Sequence, residues 1–342
     1  MKFYAGLDVA VETTALCLVD QTGEIVCEAT IATDPEEIWA YLSETGLVFE
    51  RIGFEAGPCS SWLYKRLTEY DLPAVCIDAR HAHAALKAQN VKTDRNDARG
   101  IAHIVRTGWF RVSHVRSNES AMRRVLLNSR KTLLSKRLEL ENHIRGNLKV
   151  FGLKVGAVTA RGFEARVQEL IKDDADLLSY VEPLLRVRGQ IQIEINALDK
   201  KIRHLVKEDP VCRRFMTIPG VGPLTALLFK STVDDPQRFA KSANVAVHLG
   251  LTPRKYASGE IDFNGRIAKT GDQMTRTHLY EAAQVLMRRS SAKNALKSWG
   301  AKIAKRGSTK RAYVAVARKL AVIMHRMWID GTDFDGGTAH TA

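Results

Sequence analysis

The chain has 342 residues, 45% of them apolar and 26% charged, with 52 Lys+Arg against 38 Asp+Glu for a formal net charge of +14. That apolar share excludes a disordered chain, and no apolar run reaches the roughly 18 residues of a membrane span, so no membrane partner is expected. Five scattered cysteines without a C-x-x-C pair (Cys17, Cys27, Cys59, Cys76, Cys212) exclude a disulfide framework and a zinc ribbon. They fit a reducing cytoplasm. The charge is polarised along the chain. Residues 1–79 hold four Lys/Arg against fourteen Asp/Glu, residues 80–150 sixteen against five, and residues 251–326 seventeen against four. An acidic front joined to two basic stretches is the footprint of a nuclease core with nucleic-acid-gripping surfaces. The plain alternative is that scattered cations keep the chain in solution.

Lys2–Val9 reads as a strand, not a signal peptide. Thr14–Val19 and Ile25–Ile31 flank Asp20-Gln21-Thr22-Gly23-Glu24, so strands one to three form an antiparallel meander. Glu36–Glu44 has helical periodicity, Arg51–Glu55 is a fourth strand, Ser60–Tyr70 a helix and Ala74–Ile77 a fifth strand. From Thr93 to Val105 the pattern is helical, with Thr93 or Asp94 as its cap. Leu126, Leu133, Leu140 and Ile144 then share one stripe. Ile191, Ile195, Leu198, Ile202 and Leu205 follow a heptad spacing, so two long helices are expected as a coiled coil within or between subunits, with Gly152–Gly162 between them. The last segment is mainly helical. It opens on Ile218-Pro219-Gly220-Val221-Gly222-Pro223, which resembles a helix-hairpin-helix whose backbone N–H groups, at Gly220 and Gly222, hold phosphate. The fold class is therefore α/β plus α, divided at 1–116, 117–208 and 209–330, with 331–342 as a flexible tail.

Asp8 is a lone charge in the apolar strand Ala5-Gly6-Leu7-Asp8-Val9, and Glu55 ends Ile52-Gly53-Phe54-Glu55. A charge in a buried strand costs several kcal/mol unless it is paired or coordinated. Asp94 and Asp97 are three apart, on one face of a helix. Each has a plainer reading: a strand end, an arginine partner, a helix cap. Together they form the set of carboxylates that holds two Mg²⁺ ions for phosphodiester cleavage. An Asp on the first strand, a Glu on the fourth and D-x-x-D on a later helix resemble the ribonuclease-H-like fold, and in their order the RuvC-type junction resolvases.

The chain as a whole resembles the DEDD transposases of bacterial insertion sequences, the IS-one-ten family. The resemblance rests on Gly6-Leu7-Asp8-Val9, Gly53-Phe54-Glu55-Ala56 and Lys92-Thr93-Asp94-Arg95-Asn96-Asp97-Ala98. Later stretches carry it on: Ile218-Pro219-Gly220-Val221-Gly222, Leu249-Gly250-Leu251-Thr252-Pro253-Arg254, Tyr256-Ala257-Ser258-Gly259 and Gly265-Arg266-Ile267-Ala268-Lys269-Thr270-Gly271-Asp272. Many relatives carry Ser-Lys shortly after the first Asp where this chain has Ala10-Val11, neither of which supplies a carboxylate.

The resemblance implies a RuvC-like N-terminal domain, a coiled coil and a C-terminal serine domain. It implies a recombinase in which Ser258, by composition an ordinary turn serine, is the nucleophile that links covalently to DNA. Asp8, Glu55, Asp94 and Asp97 would hold Mg²⁺, with Mn²⁺ as the alternative. Lys92, Arg95, Arg254, Lys255, Arg266, Lys269 and Arg276 are the expected phosphate contacts. Implied partners are donor and target DNA, a structured noncoding guide RNA and further copies of the chain, a dimer assembling to a tetramer. The competing reading is a Holliday-junction-type endonuclease in which water attacks and Ser258 is structural; a third is a non-catalytic nucleic-acid scaffold. Trp109, Phe110, Tyr256, Phe263 and Trp299 are candidates for base stacking, with core packing the plainer fate. His81 and His83, lacking further ligands nearby, read as structural or nucleic-acid-facing.

Overall fold

A strand with apolar residues on both faces must be covered on both, and β1 (Phe3–Val9) is such a strand, with Tyr4, Ala5 and Leu7 buried. The computed structural model describes residues 1–87, 91–289 and 294–336. It divides into two units, Met1–Arg116 and the chain from Ser117 onward.

In the first unit β1 is followed by β2 (Thr13–Asp20), β3 (Ile25–Ala32), α1 (Pro35–Glu44), β4 (Phe49–Glu55), α2 (Ser60–Glu69), β5 (Ala74–Ile77), α3 (Ala79–Leu86) and α4 (Asp94–Thr107). The sheet order is β3-β2-β1-β4-β5. The first three strands are antiparallel, and β4 and β5 run parallel to β1. The meander is closed by Asp20, whose Oδ1 accepts from the N–H of Thr22, Gly23 and Glu24 at 2.8–3.0 Å. One face of the sheet buries Leu7, Leu16, Leu18, Ile52 and Phe54 with Ile38 and Leu42 of α1 and Leu63 and Leu67 of α2. The other buries Tyr4, Cys17 and Val19 with Ala98, Ile101, Ala102 and Val105 of α4. Helix α3 has no counterpart in the sequence reading; Asp78 caps it, Oδ1 accepting from Arg80 N at 3.0 Å.

The second unit opens with α5 (Asn118–Val150), followed by α6 (Phe163–Ile171) and α7 (Ala175–Glu208). Arg130 Nη2 donates to Asp199 Oδ2 at 3.3 Å, Arg137 Nη1 to Gln192 Oε1 at 2.6 Å and Arg188 Nε to Glu141 Oε1 at 2.9 Å. As the partner on α5 advances, the one on α7 retreats, so the two helices lie antiparallel in one chain. Of the expected heptad seam Ile195 and Ile202 are fully buried, while Ile191, Leu198 and Leu205 are partly covered.

Beyond them come α8 (Pro210–Phe215), α9 (Pro223–Val233), α10 (Ser242–His248), the hairpin β6 (Pro253–Ser258) and β7 (Ile261–Ile267), α11 (Gln273–Arg288), α12 (Ala295–Arg306) and α13 (Thr309–Asp330). One core spans the expected division at 208/209: Leu127, Ile202 and Val206 share it with Phe215, Phe229, Leu279 and Leu320. Asp209 is buried there between Arg123 (3.0 Å) and Lys230. The start of the segment expected as a flexible tail has contacts of its own. Phe334 packs against this core and its N–H donates to Thr217 Oγ1 at 2.9 Å, while Gly336 O accepts from Ala295 N at 2.9 Å; residues 337–342 lie outside the described residues. Among the described residues no helix is long and apolar enough to cross a membrane.

Candidate active site

The register Leu7↔Phe54 places Asp8 and Glu55 side by side where two parallel strands end. Strand alternation puts Asp8 on the face of Gly6, and Glu55 on the face of Gly53. Gly6 and Gly53 are themselves paired in register, and both face α4. A Cβ on Gly6 would lie 2.2 Å from Ala98 O, and one on Gly53 2.2 Å from Val105 Cγ1. The two glycines thus form a trough in which α4 lies directly on the sheet. Thr93 caps that helix, Oγ1 accepting from Asn96 N at 3.2 Å, and its first turn carries Asp94 and Asp97.

The four acids feel one another. Asp8, half-buried, is pushed up to about 6 by burial and then by the negative charges of Asp97, Asp94 and Glu55, with Lys92 opposing. Glu55 is also raised, first by burial and then by Asp97, while His83 and Lys92 favour its charged form. The sequence-predicted quartet therefore converges. Its donors are hard oxygens carrying excess negative charge, the kind a divalent cation such as Mg²⁺ takes. Among the described residues, however, no three such side chains close into a ready metal-binding group. The residues fit a divalent ion in kind and charge, with the coordination shell left open.

Other predicted contacts divide. Lys92 lies by the carboxylates. Arg95 is committed to Glu28, its Nε donating to Oε2 at 2.8 Å, and Arg99 Nε reaches Oε1 of the same residue at 2.6 Å. The two guanidinium groups hold Glu28 at about 2. His81 packs edge-on against Trp109 (5.1 Å between ring centroids), whereas His83, read from the sequence as structural or nucleic-acid-facing, is a neighbour of Glu55. Both histidines lie on the short helix Ala79–Leu86.

In the second unit Ser258 ends β6, joined to β7 by the two-residue turn Gly259-Glu260. The foot of this hairpin is set by Gly250 (φ 65°) and Gly271 (φ 72°). A Cβ on the first would lie 2.2 Å from Thr270 O, and on the second 2.0 Å from His248 O. These motif glycines thus clamp the two ends of the hairpin backbone to backbone. Arg276, expected on phosphate, instead donates Nη1 to Leu249 O at 3.1 Å and to Thr270 O, bracing the same clamp. Lys255 pairs with Asp262 at 3.3 Å, and Arg254 Nη2 donates to Ala268 O at 3.4 Å. Gly220 (φ 95°) has a packing reason: a Cβ would lie 2.5 Å from Ala282 O of α11. Gly222, at the start of α9, has open space. Arg266 and Lys269 line a groove of about 1960 Å³, together with Lys241, Lys310, Arg311 and Arg318.

Two family models match the chain. One, described as a transposase and named for the DEDD acids and IS110, covers residues 5–152; the other, the transposase IS116/IS110/IS902 family, covers residues 212–298. The first spans the carboxylates and the second Ser258. The chain belongs to the IS110-type DEDD transposases. It is 28% identical to the transposase for insertion sequence element IS1111A of Coxiella burnetii over 93% of this chain and 87% of that relative. It is 26% identical to the transposase for insertion sequence element IS1328 of Yersinia enterocolitica over 71% of this chain and 75% of that one. Among solved structures it is similar to Thermus thermophilus RuvC in complex with a Holliday junction substrate, at 12% identity and a TM-score of 0.26, over 33% of this chain and all of that one.

Proposed function

We propose that this transposase cuts and rejoins DNA through Ser258, with Asp8, Glu55, Asp94 and Asp97 holding Mg²⁺ or, in its place, Mn²⁺. The observation that carries the reading is the gathering of four carboxylates where two strand ends meet the start of α4, with Asp8 pushed up to about 6 by burial and by the other three. Uncompensated charge of this kind is stored at functional sites. When bound, the cation would polarise the reacting phosphate and stabilise the departing 3′-oxygen. Ser258 Oγ attacks phosphorus, the bond to the 3′-oxygen breaks, and a phosphoserine ester retains the energy needed for rejoining. Lys92 beside the acids, and Arg254, Lys255, Arg266 and Lys269 around the hairpin, hold phosphate oxygens.

The same reading includes donor and target DNA, a structured guide RNA gripped through diffuse positive charge, and a dimer that assembles to a tetramer. The half-covered middle of the α5–α7 pair, where Leu133, Leu140 and Leu198 remain partly exposed, supports a further copy packing there. A second reading has its own support: all four acids belong to the first unit, as in an endonuclease where water replaces Ser258 as attacker. Incubation with Mg²⁺, flanking noncoding RNA and labelled DNA decides between them. A denaturation-resistant protein–DNA adduct lost in Ser258→Ala supports the first reading. Cleavage that survives this substitution supports the second, and activity that survives Asp8→Ala and Glu55→Ala refutes the metal site.

A further inference from the structure

A two-stranded hairpin standing alone is marginal in water and needs a covering partner. The β6–β7 ribbon exposes almost every residue from Pro253 to Ile267. Its register pairs Tyr256 with Phe263 and Ser258 with Ile261. With the two-residue period of a strand, Tyr256 and Ser258 share one face with Ile261 and Phe263. On that face the rings of Tyr256 and Phe263 are stacked, with centroids 4.9 Å apart and planes 17° from parallel. Gly265 lets Tyr256 lie flat across the ribbon, since a Cβ there would come within 2.9 Å of Cε2. Even so, Tyr256 stays 46% and Phe263 55% exposed, and Ile261 58%. A cross-strand aromatic pair that served only the ribbon would not hold its rings open to solvent beside the serine.

We propose that Tyr256 and Phe263 form a stacking platform for an unpaired base of the DNA strand next to the phosphate that Ser258 attacks. The proposal rests on the Ser258 reading above. Charge complementarity selects the occupant: the foot of the ribbon, with Asn264, Gly265 and Arg266, lines the basic groove that also holds Lys241, Lys310 and Arg318. A polyanion is drawn to that surface, whereas a second copy would bring the same positive charge against it. Bases in a duplex are already stacked on their neighbours, so an open ring pair takes an unpaired one. Tyr256 and Phe263 are positioning residues: they hold the base and thereby the phosphate, and neither joins the bond exchange.

The test uses the full chain and a short single-stranded DNA carrying one 2-aminopurine, whose fluorescence falls on stacking. Wild type and Ser258→Ala are expected to quench it equally. Tyr256→Leu and Phe263→Leu, which keep apolar bulk but remove the ring, are expected to weaken quenching on the order of 10-fold, with Phe263→Trp restoring it. Unchanged quenching in both leucine variants overturns the proposal. So does tighter quenching with RNA of the same sequence, or a loss of self-association in Phe263→Leu by sedimentation, which assigns the face to a second copy. The two readings fail separately. DNA cutting that survives Ser258→Ala while Phe263→Leu loses quenching removes the nucleophile and leaves the platform. A Ser258-dependent adduct with unaltered quenching in the leucine variants removes the platform and leaves the nucleophile.

Discussion

Replacing Asp8 by asparagine removes a charge that the fold holds at a cost. The carboxyl moves from its ordinary 3.8 to about 6 on folding. The folded state therefore binds the proton more tightly than the unfolded chain. Below about pH 4 both states are protonated and nothing is lost; as pH rises through 6 the folded protein pays the repulsion and desolvation, and the loss is complete above that. A rise of roughly 2 units corresponds to about 3 kcal/mol. Asp8 is only half-buried, so solvent screening brings the expected effect down to about 1–2 kcal/mol. Asp8→Asn should therefore stabilise the first unit by that amount at pH 7.5 without divalent ions, raising its unfolding midpoint by roughly 4–8 °C, and leave it almost unchanged at pH 4. Thermal unfolding of both proteins at the two pH values measures this. A variant that is less stable at pH 7.5, or equally stabilised at both, refutes the argument that Asp8 sits in uncompensated negative charge. Added Mg²⁺ should stabilise wild type at pH 7.5 and do little for the variant.

Three further outcomes follow from the geometry. Gly6→Ala would force α4 off the sheet, since the new methyl meets Ala98 O and Ala102 N at 2.2–2.3 Å; a loss of about 2–4 kcal/mol in denaturant unfolding is expected, with DNA cutting abolished even where the variant is still folded. Asp209→Ala leaves Arg123 and Lys230 without their buried partner, which should cost about 3–5 kcal/mol. Burial raises the Asp209 carboxyl, but Lys230, the Cys212 N–H and Arg123 outweigh it and hold it below its ordinary value. This part of the stability should therefore fade only as acid pH reaches the folded carboxyl. Lys310→Gln and Arg318→Gln in the basic groove should each lower the slope of log K against log salt for nucleic acid by about 1, measured by titration at several salt concentrations; an unchanged slope removes the groove from the binding surface.

Asp8 and Glu55 drew notice in the sequence because lone charges in apolar strands are costly, but each alone also fits a plainer reading, and only the order of all four acids pointed to a shared site. Asp94 and Asp97 were legible from the capped start of a helix. The sheet followed from alternation and from the Asp20–Gly23 turn. The β6–β7 ribbon was not readable: exposed on both faces, it lacks the contrast between apolar and polar positions by which a strand is recognised. Helix α3 is too short and too rich in alanine and histidine to show a periodic stripe. Arg95 and Arg276 looked like free cations because their partners, Glu28 and the carbonyls of Leu249 and Thr270, are set by tertiary folding at separations no local pattern reports. Gly220 has a second reason to be glycine, the close approach of Ala282 O on α11, which no local pattern reports.

Gly6 gives α4 a hard stop, meeting the backbone at Ala98 O and Ala102 N, while Gly53 beside it seats the Val105 side chain. Apolar packing between a helix and a sheet is compliant: a larger or smaller side chain shifts the separation by fractions of an ångström, and neighbours adjust. Where backbone rests on backbone there is no side chain left to adjust. The height of the helix above the sheet is then a property of the main chain, insulated from drift in the surrounding apolar residues. Substitutions at Ile101 or Ile104 can change stability without moving the two aspartates relative to the strand ends. The carboxylate cluster is in this sense gauged by the missing methyl group at Gly6.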